Sequence, residues 1–459
     1  MSSADDPPGQ QSPPGQQSLP VAAPRSARQL NDRFGAGTMA PSVDGMENPP
    51  MYSLAERDRR WSIARAIMAE EDVDALVVYG EHELAGPAPF APDTYFTNDR
   101  PGAIVVLTQD AAPVSLVWGP GHVLDHMEAA RRGEASWLAP GDMRIAKHEG
   151  GLVDLLTETG LSRASIGVIG LEPYPPFHFI PIVPYQLWAS VLRQLPHAVF
   201  KPVWLSFLLH TMRQSAEELA VIGYAARAAE EMALALVDAA RPGQSEASVY
   251  AAAMAAGCRR GIASPVILLS SGPDFVSWGP PAWGYRPQPP RVLAAGDVLL
   301  AELTCSYGMR DAQAQVAVAL GEVHPDFDLA AQAAHDAFTA ALAMLRPGRT
   351  FGEVCAAARE PVSAAGGTVL HPLVHGLNPY GAVSGFGGDL RGLPGAAGYR
   401  LLAEVATAGH ELPLAPGLTF SVEPNCTLGR HQVQLGSTVI VGHDAPAVLT
   451  PRTVRLFRN

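Results

Sequence analysis

Glu302, Asp311, Gln313 and Gln315 fall within one short stretch, GDVLLAELTCSYGMRDAQAQVAVALG, from Gly296 to Gly321. Two later segments carry further polar groups: His371-Pro-Leu-Val-His375-Gly376, and Pro416-Gly-Leu-Thr-Phe-Ser-Val-Glu423-Pro424. Brought together, His375 and Glu423 can form a hydrogen-bonded acid/base pair, and Glu302 can hold a cationic or amide group. A carboxylate in a low-dielectric pocket tends to a raised pKa, which suits proton transfer. His371 reads either as a contributor or as a structural histidine at a strand edge. Trp278, Trp283 and Tyr285 lie within eight positions. They read as an aromatic wall for an apolar or cationic ligand, or as loop aromatics packing on an interface.

The elements that must position these side chains are legible. Gly296-Asp297 is a tight-turn pair, and Val298 to Ala301 is an apolar run expected as a buried strand. A polar turn at Tyr307-Gly308 leads into a second strand, Ala312 to Leu320, with polar and apolar residues alternating. The hairpin sets Glu302 on one strand and Asp311, Gln313 and Gln315 on or near the other. Upstream, Ser215 caps a helix expected to run to about Ala240 and to stop at Arg241-Pro242-Gly243; Ser245 caps a second, to about Arg260. Downstream, Asp326 to Leu345 reads as a helix ending at Arg346-Pro347-Gly348, and Thr350 caps another to about Ala365. Helix, helix, hairpin, twice over, is a pseudo-repeat. It implies two halves closing around a shared sheet, with a site where they meet.

At the three polar segments the chain resembles the pita-bread superfamily of creatinase, prolidase, aminopeptidase P and methionine aminopeptidase, over roughly residues 55 to 457. The resemblance implies an α/β two-domain protein: a creatinase-like α/β domain followed by a pseudo-twofold α+β pita-bread domain. In the family five side chains hold two metal ions, and they fall here on Glu302, Gln313, His375, Glu423 and Gly436. His375 and Glu423 match outright, and Glu302 replaces an aspartate. Gln313 and Gly436 stand where the family has the carboxylates that bridge the metals, and a di-metal site needs such anionic bridges. The resemblance thus implies that the di-metal centre is gone, and that no cofactor is expected. The alternative is one divalent metal such as Mn, Fe or Zn on Glu302, Asp311, His375 and Glu423. Asp311 and Gln434 lie two residues from the lost positions, on the same side of a period-two strand, so a register slip restores a carboxylate. Two family histidines fall on Gly279 and Ala382; the first is creatinase's general acid/base, the second contacts a scissile peptide.

These departures point to a creatinase-like, metal-independent hydrolase or lyase. It would act on a C–N or related bond of a small polar molecule, with His375, Glu423 and Glu302 catalytic and Trp278, Trp283, Tyr285, Gln313, Gln315, His371 and Asp311 binding substrate. A metal-dependent Xaa-Pro-type peptidase with a reduced ligand set is the alternative, and a non-catalytic binding module of the same fold is another. The resemblance also implies a homodimer.

Composition sets outer limits. Of 459 residues, 47% are hydrophobic and 17% charged, enough for sizeable cores. A formal net charge of −13 argues against a nucleic-acid partner. Four widely spaced cysteines read as free thiols of a reducing cytoplasm. No apolar run reaches the roughly 18 to 20 residues of a membrane span. Residues 1–50, rich in Pro, Gly and Gln, are expected to form a disordered tail. Residues 51–205 are expected to form the N-terminal domain and 206–459 the catalytic-type domain. Within the former, the Pro-rich Glu172–Phe177 segment reads as a surface turn or as a pocket cover.

Overall fold

A computed structural model describes residues 49–81, 91–173, 180–263, 265–274, 279–385, 390, 393–399 and 408–459. All but the last two residues of the expected tail, Trp278 and most of the Glu172–Phe177 segment lie outside the described residues.

The first part of the chain builds a mixed sheet in the order β4-β3-β2-β1-β5-β6. Its strands are β1 (Ala75–Tyr79), β2 (Ile104–Thr108), β3 (Val114–Val117), β4 (Met143–Ile145), β5 (Ser165–Ile169) and β6 (Val199–Pro202). The helices are α1 (Leu54–Glu71), α2 (Asp93–Thr97), α3 (Pro120–Arg132), α4 (Glu149–Glu158), α5 (Tyr185–Gln194) and α6 (Trp204–Thr211). All of β1 is buried because both faces of the sheet are covered. Leu76 and Val78 pack with α1 and α6, whereas Ala75 and Val77 pack with α4 and α5. That double burial is why this strand is apolar throughout rather than alternating.

The second part builds a sheet in the order β11-β10-β12-β15-β9-β8-β7, with β16 on β15 and β17 on β9. Its helices come in two pairs, α7 (Ala216–Ala239) with α8 (Glu246–Arg259), and α9 (Asp326–Met344) with α10 (Phe351–Ala364). Ser215 and Thr350 close matching capping boxes with Glu218 and Glu353. Past α7 and α9 come Gly243 (φ +88°) and Gly348 (φ +85°), left-handed positions that a side chain would strain. The strands are β7 (Val266–Gly272), β8 (Val298–Tyr307), β9 (Arg310–Ala319), β10 (Val374–Leu377), β11 (Tyr380–Ser384), β12 (Thr419–Val422), β15 (Gly436–Ile440), β16 (Ala447–Val448) and β17 (Leu456–Arg458). A separate two-stranded ribbon joins β13 (Asn425–Leu428) to β14 (His431–Gln434).

Period-two alternation decides which side chains face the site. Leu299, Ala301 and Leu303 of β8 pack beneath α7 and α8, so Glu302 turns to the opposite face. Phe420 and Val422 of β12 pack beneath α9 and α10, so Ser421 turns away from them. The β8–β9 hairpin turns through Gly308 and Met309, both at positive φ (52° and 57°), the two-residue connection whose twist matches paired strands. Its register sets Glu302 opposite Gln315 and Thr304 opposite Gln313.

A buried ionic cluster ties the two parts together. Glu218, at the start of α7, accepts from Arg59 (2.7 Å) of α1 and Arg310 (2.5 Å) of β9, and the Arg60 guanidinium of α1 lies 3.1 Å from it as an ion pair. Tyr52 and Tyr95 cover the Arg60 guanidinium at 4.1 and 4.6 Å. Burial works to raise the Glu218 pKa, but Arg310, Arg60 and Arg59 together hold it below the usual carboxylate range.

Candidate metal-binding active site

The hairpin and the β10–β12 pair bring Glu302, Gln313, Gln315, His375, Ser421 and Glu423 into one buried cluster. Glu302 is 6% exposed, His375 1% and Glu423 2%. Gln313 is the central link. Its Nε2 donates to Glu302 Oε1 (3.1 Å) and Thr304 Oγ1 (3.1 Å), and its Oε1 faces His375 Nε2 at 3.1 Å. Gln315 Nε2 donates to Glu423 Oε2 (2.5 Å) and to Ser421 Oγ (3.3 Å). The other Glu423 oxygen lies 3.4 Å from His375 Nε2.

The tautomer of His375 follows from its partners. Nδ1 meets the Gly376 carbonyl at 2.8 Å, which can only accept, so Nδ1 carries a proton. Nε2 faces two oxygen acceptors. Burial works against a charged ring, yet Glu423, its hydrogen bond and the Gly376 carbonyl raise the His375 pKa overall. Glu302 is driven well above the ordinary carboxylate range, first by burial and then by the charge of Glu423, with a hydrogen bond from Gln315 opposing.

Tyr380, which sequence reasoning missed, sits edge-on to the His375 ring at 5.1 Å between centroids. Burial, then Glu302 and Glu423, push its pKa up, so its hydroxyl stays protonated. Ser421 was also missed, although it stands two residues from Glu423 in the same segment, the spacing that puts both on one face of an extended chain.

The other expected residues lie elsewhere in the arrangement. Asp311 is one step further along β9. The Asn378 side chain accepts from its backbone N–H (2.8 Å) and donates to its carbonyl (3.0 Å), which fixes this stretch of strand. No register slip restores a carboxylate: Gly436 pairs with Gln315 on β15, and Gln434 pairs with Asn425 in the separate ribbon. A Cβ at Gly436 would meet Gln315 Oε1 at 2.2 Å and the Val422 carbonyl at 2.8 Å, so Gln315 fills the space of a side chain at 436. His371 has its backbone held by the Asn425 side chain, and burial pushes its pKa down to about 4, leaving it neutral. Trp283 packs edge-on against Tyr250 of α8 at 5.6 Å, and Tyr285 is 62% exposed with Arg286 over its ring. Neither joins the hydrogen-bonded cluster.

Comparison with known proteins places this geometry. Residues 220–443 match the model of metallopeptidase family M24. The chain is 25% identical over 402 residues to the Mycobacterium tuberculosis protein named probable dipeptidase PepE, spanning 84% of this chain and 92% of that one. Its fold resembles the X-Pro aminopeptidase of Thermotoga maritima (TM-score 0.66, 16% identity, 87% of this chain and 99% of that one). The prolidase of Pyrococcus horikoshii (0.65, 16%, 87% and 99%) and dipeptidase PepE of Mycobacterium ulcerans (0.64, 20%, 89% and 99%) are similar to it too.

The chain has the pita-bread fold, and its residues 220–443 match the model of a metallopeptidase family. The expectation of a metal-independent centre with no cofactor is thereby corrected: the matched family is one of metallopeptidases, and the alternative of a divalent metal takes its place. The inference from Gln313 and Gly436 failed because losing the bridges removes the reason for two ions without removing the donors for one.

The donor set bears this out in part. Two ions do not fit, since a neutral amide and a packed glycine occupy the bridging positions. His375 and Glu423, 3.4 Å apart, stand close enough to share one ion, and Glu302 is linked to them through Gln313. The buried Gln315 Oε1 has no hydrogen-bond partner, an orphaned acceptor that a cation satisfies. Among the described residues no helix is long and apolar enough to cross a membrane.

Proposed function

We propose that this chain is a metal-dependent hydrolase of small peptides, of the Xaa-Pro dipeptidase type, working with a reduced ligand set. One divalent ion such as Mn, Fe or Zn would be held by Glu302, His375 and Glu423, carboxylate and imidazole donors that suit such ions. The observation that carries this reading is the buried His375–Glu423 contact, with Glu302 linked to it through Gln313, inside the M24-matched region. When bound, the ion supplies Lewis-acid polarisation of a scissile carbonyl and lowers the pKa of a bound water. Glu423, in contact with His375, accepts and returns a proton. Tyr380 presents a protonated hydroxyl able to donate to a developing oxyanion. Gln313 and Gln315 hold the carboxylates apart and oriented. The names of the relatives, dipeptidase, prolidase and X-Pro aminopeptidase, support the substrate class. A homodimer and a reducing compartment belong to the same reading; the four cysteines are free.

The test is a panel of Xaa-Pro dipeptides incubated with metal-stripped protein and added Mn, Fe or Zn. Turnover restored by one of these ions and abolished in Glu302→Gln supports the reading. No turnover across the panel with any ion contradicts it and favours a binding module.

A further inference from the structure

β9 is held differently along its two edges. On one side β8 pairs with it over its whole length. On the other, β17 pairs with it from Ala317 to Ala319, and β15 pairs with it at two positions, Gly436 with Gln315 and Ser437 with Ala314. The same register would next set Thr438 against Gln313. Among the described residues no strand backbone takes that place, or the one two residues along at Asp311. Gln313 and Asp311 are buried, so the backbone groups on this edge need partners.

Two side chains supply them. Thr438 Oγ1 accepts from the Gln313 N–H (2.7 Å) and donates to the Gln313 carbonyl (2.9 Å). Asn378 grips the N–H and the carbonyl of Asp311 in the same way, and its Nδ2 also donates to Thr419 Oγ1 of β12 (3.2 Å). Gln214 holds Asn378 in turn, donating to its carbonyl at 2.7 Å. Each grip is anchored on chain that carries another member of the cluster. Thr438 stands opposite Ser421 in the β12–β15 ladder. Asn378 joins β10, which carries His375, to β11, which opens with Tyr380.

We propose that Thr438 and Asn378 are positioning residues of the hydrolytic site: by gripping the free edge of β9 they set Gln313, and through it the spacing of Glu302 and His375. This role rests on the hydrolase reading of the site. Thr438 acts most directly. One hydroxyl holds both the donor and the acceptor of a single residue, so the peptide planes on either side of Gln313 are fixed together. Gln313 reaches Glu302, Thr304 and His375 at once, each at 3.1 Å. A side chain with three torsions meets three partners only when its Cα is well placed, and groups of such a site must be held within about 0.5 Å. A shift of β9 would take the amide from His375 on one side or from Glu302 on the other.

The experiment compares Thr438→Val with Thr438→Ser in the full-length protein. Valine keeps the shape and loses both hydrogen bonds, whereas serine keeps the hydroxyl. Thr97→Val removes another buried hydroxyl, bonded to the Asp93 carbonyl, and controls for simple destabilisation. In metal-free protein at one pH, the imidazole NMR signals of His375, assigned by their loss in His375→Gln, should move in Thr438→Val. They should stay in place in Thr438→Ser and Thr97→Val. Asn378→Leu should move the same signals less, because it releases β9 one step further from Gln313. With metal and dipeptide, Thr438→Val should lose about 10²-fold in kcat with KM little changed, and Thr438→Ser should retain most of the rate. Imidazole signals like those of wild type in both Thr438→Val and Asn378→Leu, or an equal loss of kcat in Thr438→Ser, would overturn the proposal. If the wild type cleaves no dipeptide, the peptidase reading fails and the NMR comparison alone decides the positioning role.

Discussion

Two buried carboxylate clusters occupy this molecule, and their charge balance is opposite. Around Glu218 two buried carboxylates, Glu218 and Glu56, meet three guanidinium groups, and the Glu218 pKa is held down. Around Glu302 two carboxylates meet two neutral amides and one imidazole, and the Glu302 pKa is driven up. The first cluster is complete as built and joins α1, α7 and β9. The second holds a carboxyl group whose charged form burial and a neighbouring carboxylate disfavour, the condition expected of a site that acts on something. Burial is common to both, so what separates a structural ion cluster from a functional one is whether its charges are answered within the protein.

The comparison predicts unequal responses to mutation. The largest effect belongs to the second cluster: His375→Ala or Glu302→Gln should lower peptide hydrolysis by about 10² to 10⁴-fold, the range for removing an acid/base or ligand group. Tm should hardly fall for Glu302→Gln, since burial already disfavours the charged form of Glu302. Glu218→Ala should do the reverse. Leaving buried Arg310 without its carboxylate should cost about 3–5 kcal/mol of stability, read by denaturant unfolding, with activity per folded molecule intact.

The Glu218 cluster also sets a pH response. A carboxylate whose folded pKa lies below its unfolded value of about 4.3 contributes fully above that pH, and the contribution is lost as pH falls through the folded pKa. Stability should therefore drop in acid, and Glu218→Gln should flatten that limb of the curve. A smaller effect is expected at Gly436→Ala, where the new methyl collides with Gln315 and the Val422 carbonyl. It should cost about 1–3 kcal/mol and, by displacing Gln315 from Glu423, lower activity as well. Smallest are the helix caps: Thr350→Ala should cost about 1 kcal/mol in thermal unfolding and leave hydrolysis unchanged.

Much of the frame was legible in the sequence because it depends on local chemistry. Ser215 and Thr350 announce their helices, the Arg-Pro-Gly pairs end α7 and α9, and alternation in Ala312–Leu320 sets one face of β9 toward the site. Glu302, His375 and Glu423 were legible from motif. What was not legible depends on packing between distant segments. Glu218 looks like an ordinary first-turn carboxylate until Arg59 and Arg310 arrive from 159 and 92 residues away. Gln315 filling the space at Gly436, and Tyr380 edge-on to His375, are likewise set by how β9, β15 and β11 meet. Trp283 next to Tyr285 suggested a shared wall, but the turn sends one to α8 and the other to solvent.

The central claim, that the Glu302–His375–Glu423 cluster holds one divalent ion, is tested most directly by metal content per chain in wild type and His375→Ala, both saturated with Mn and desalted. The account predicts that the variant loses one equivalent together with dipeptide hydrolysis. The same metal content and turnover in both proteins would contradict it.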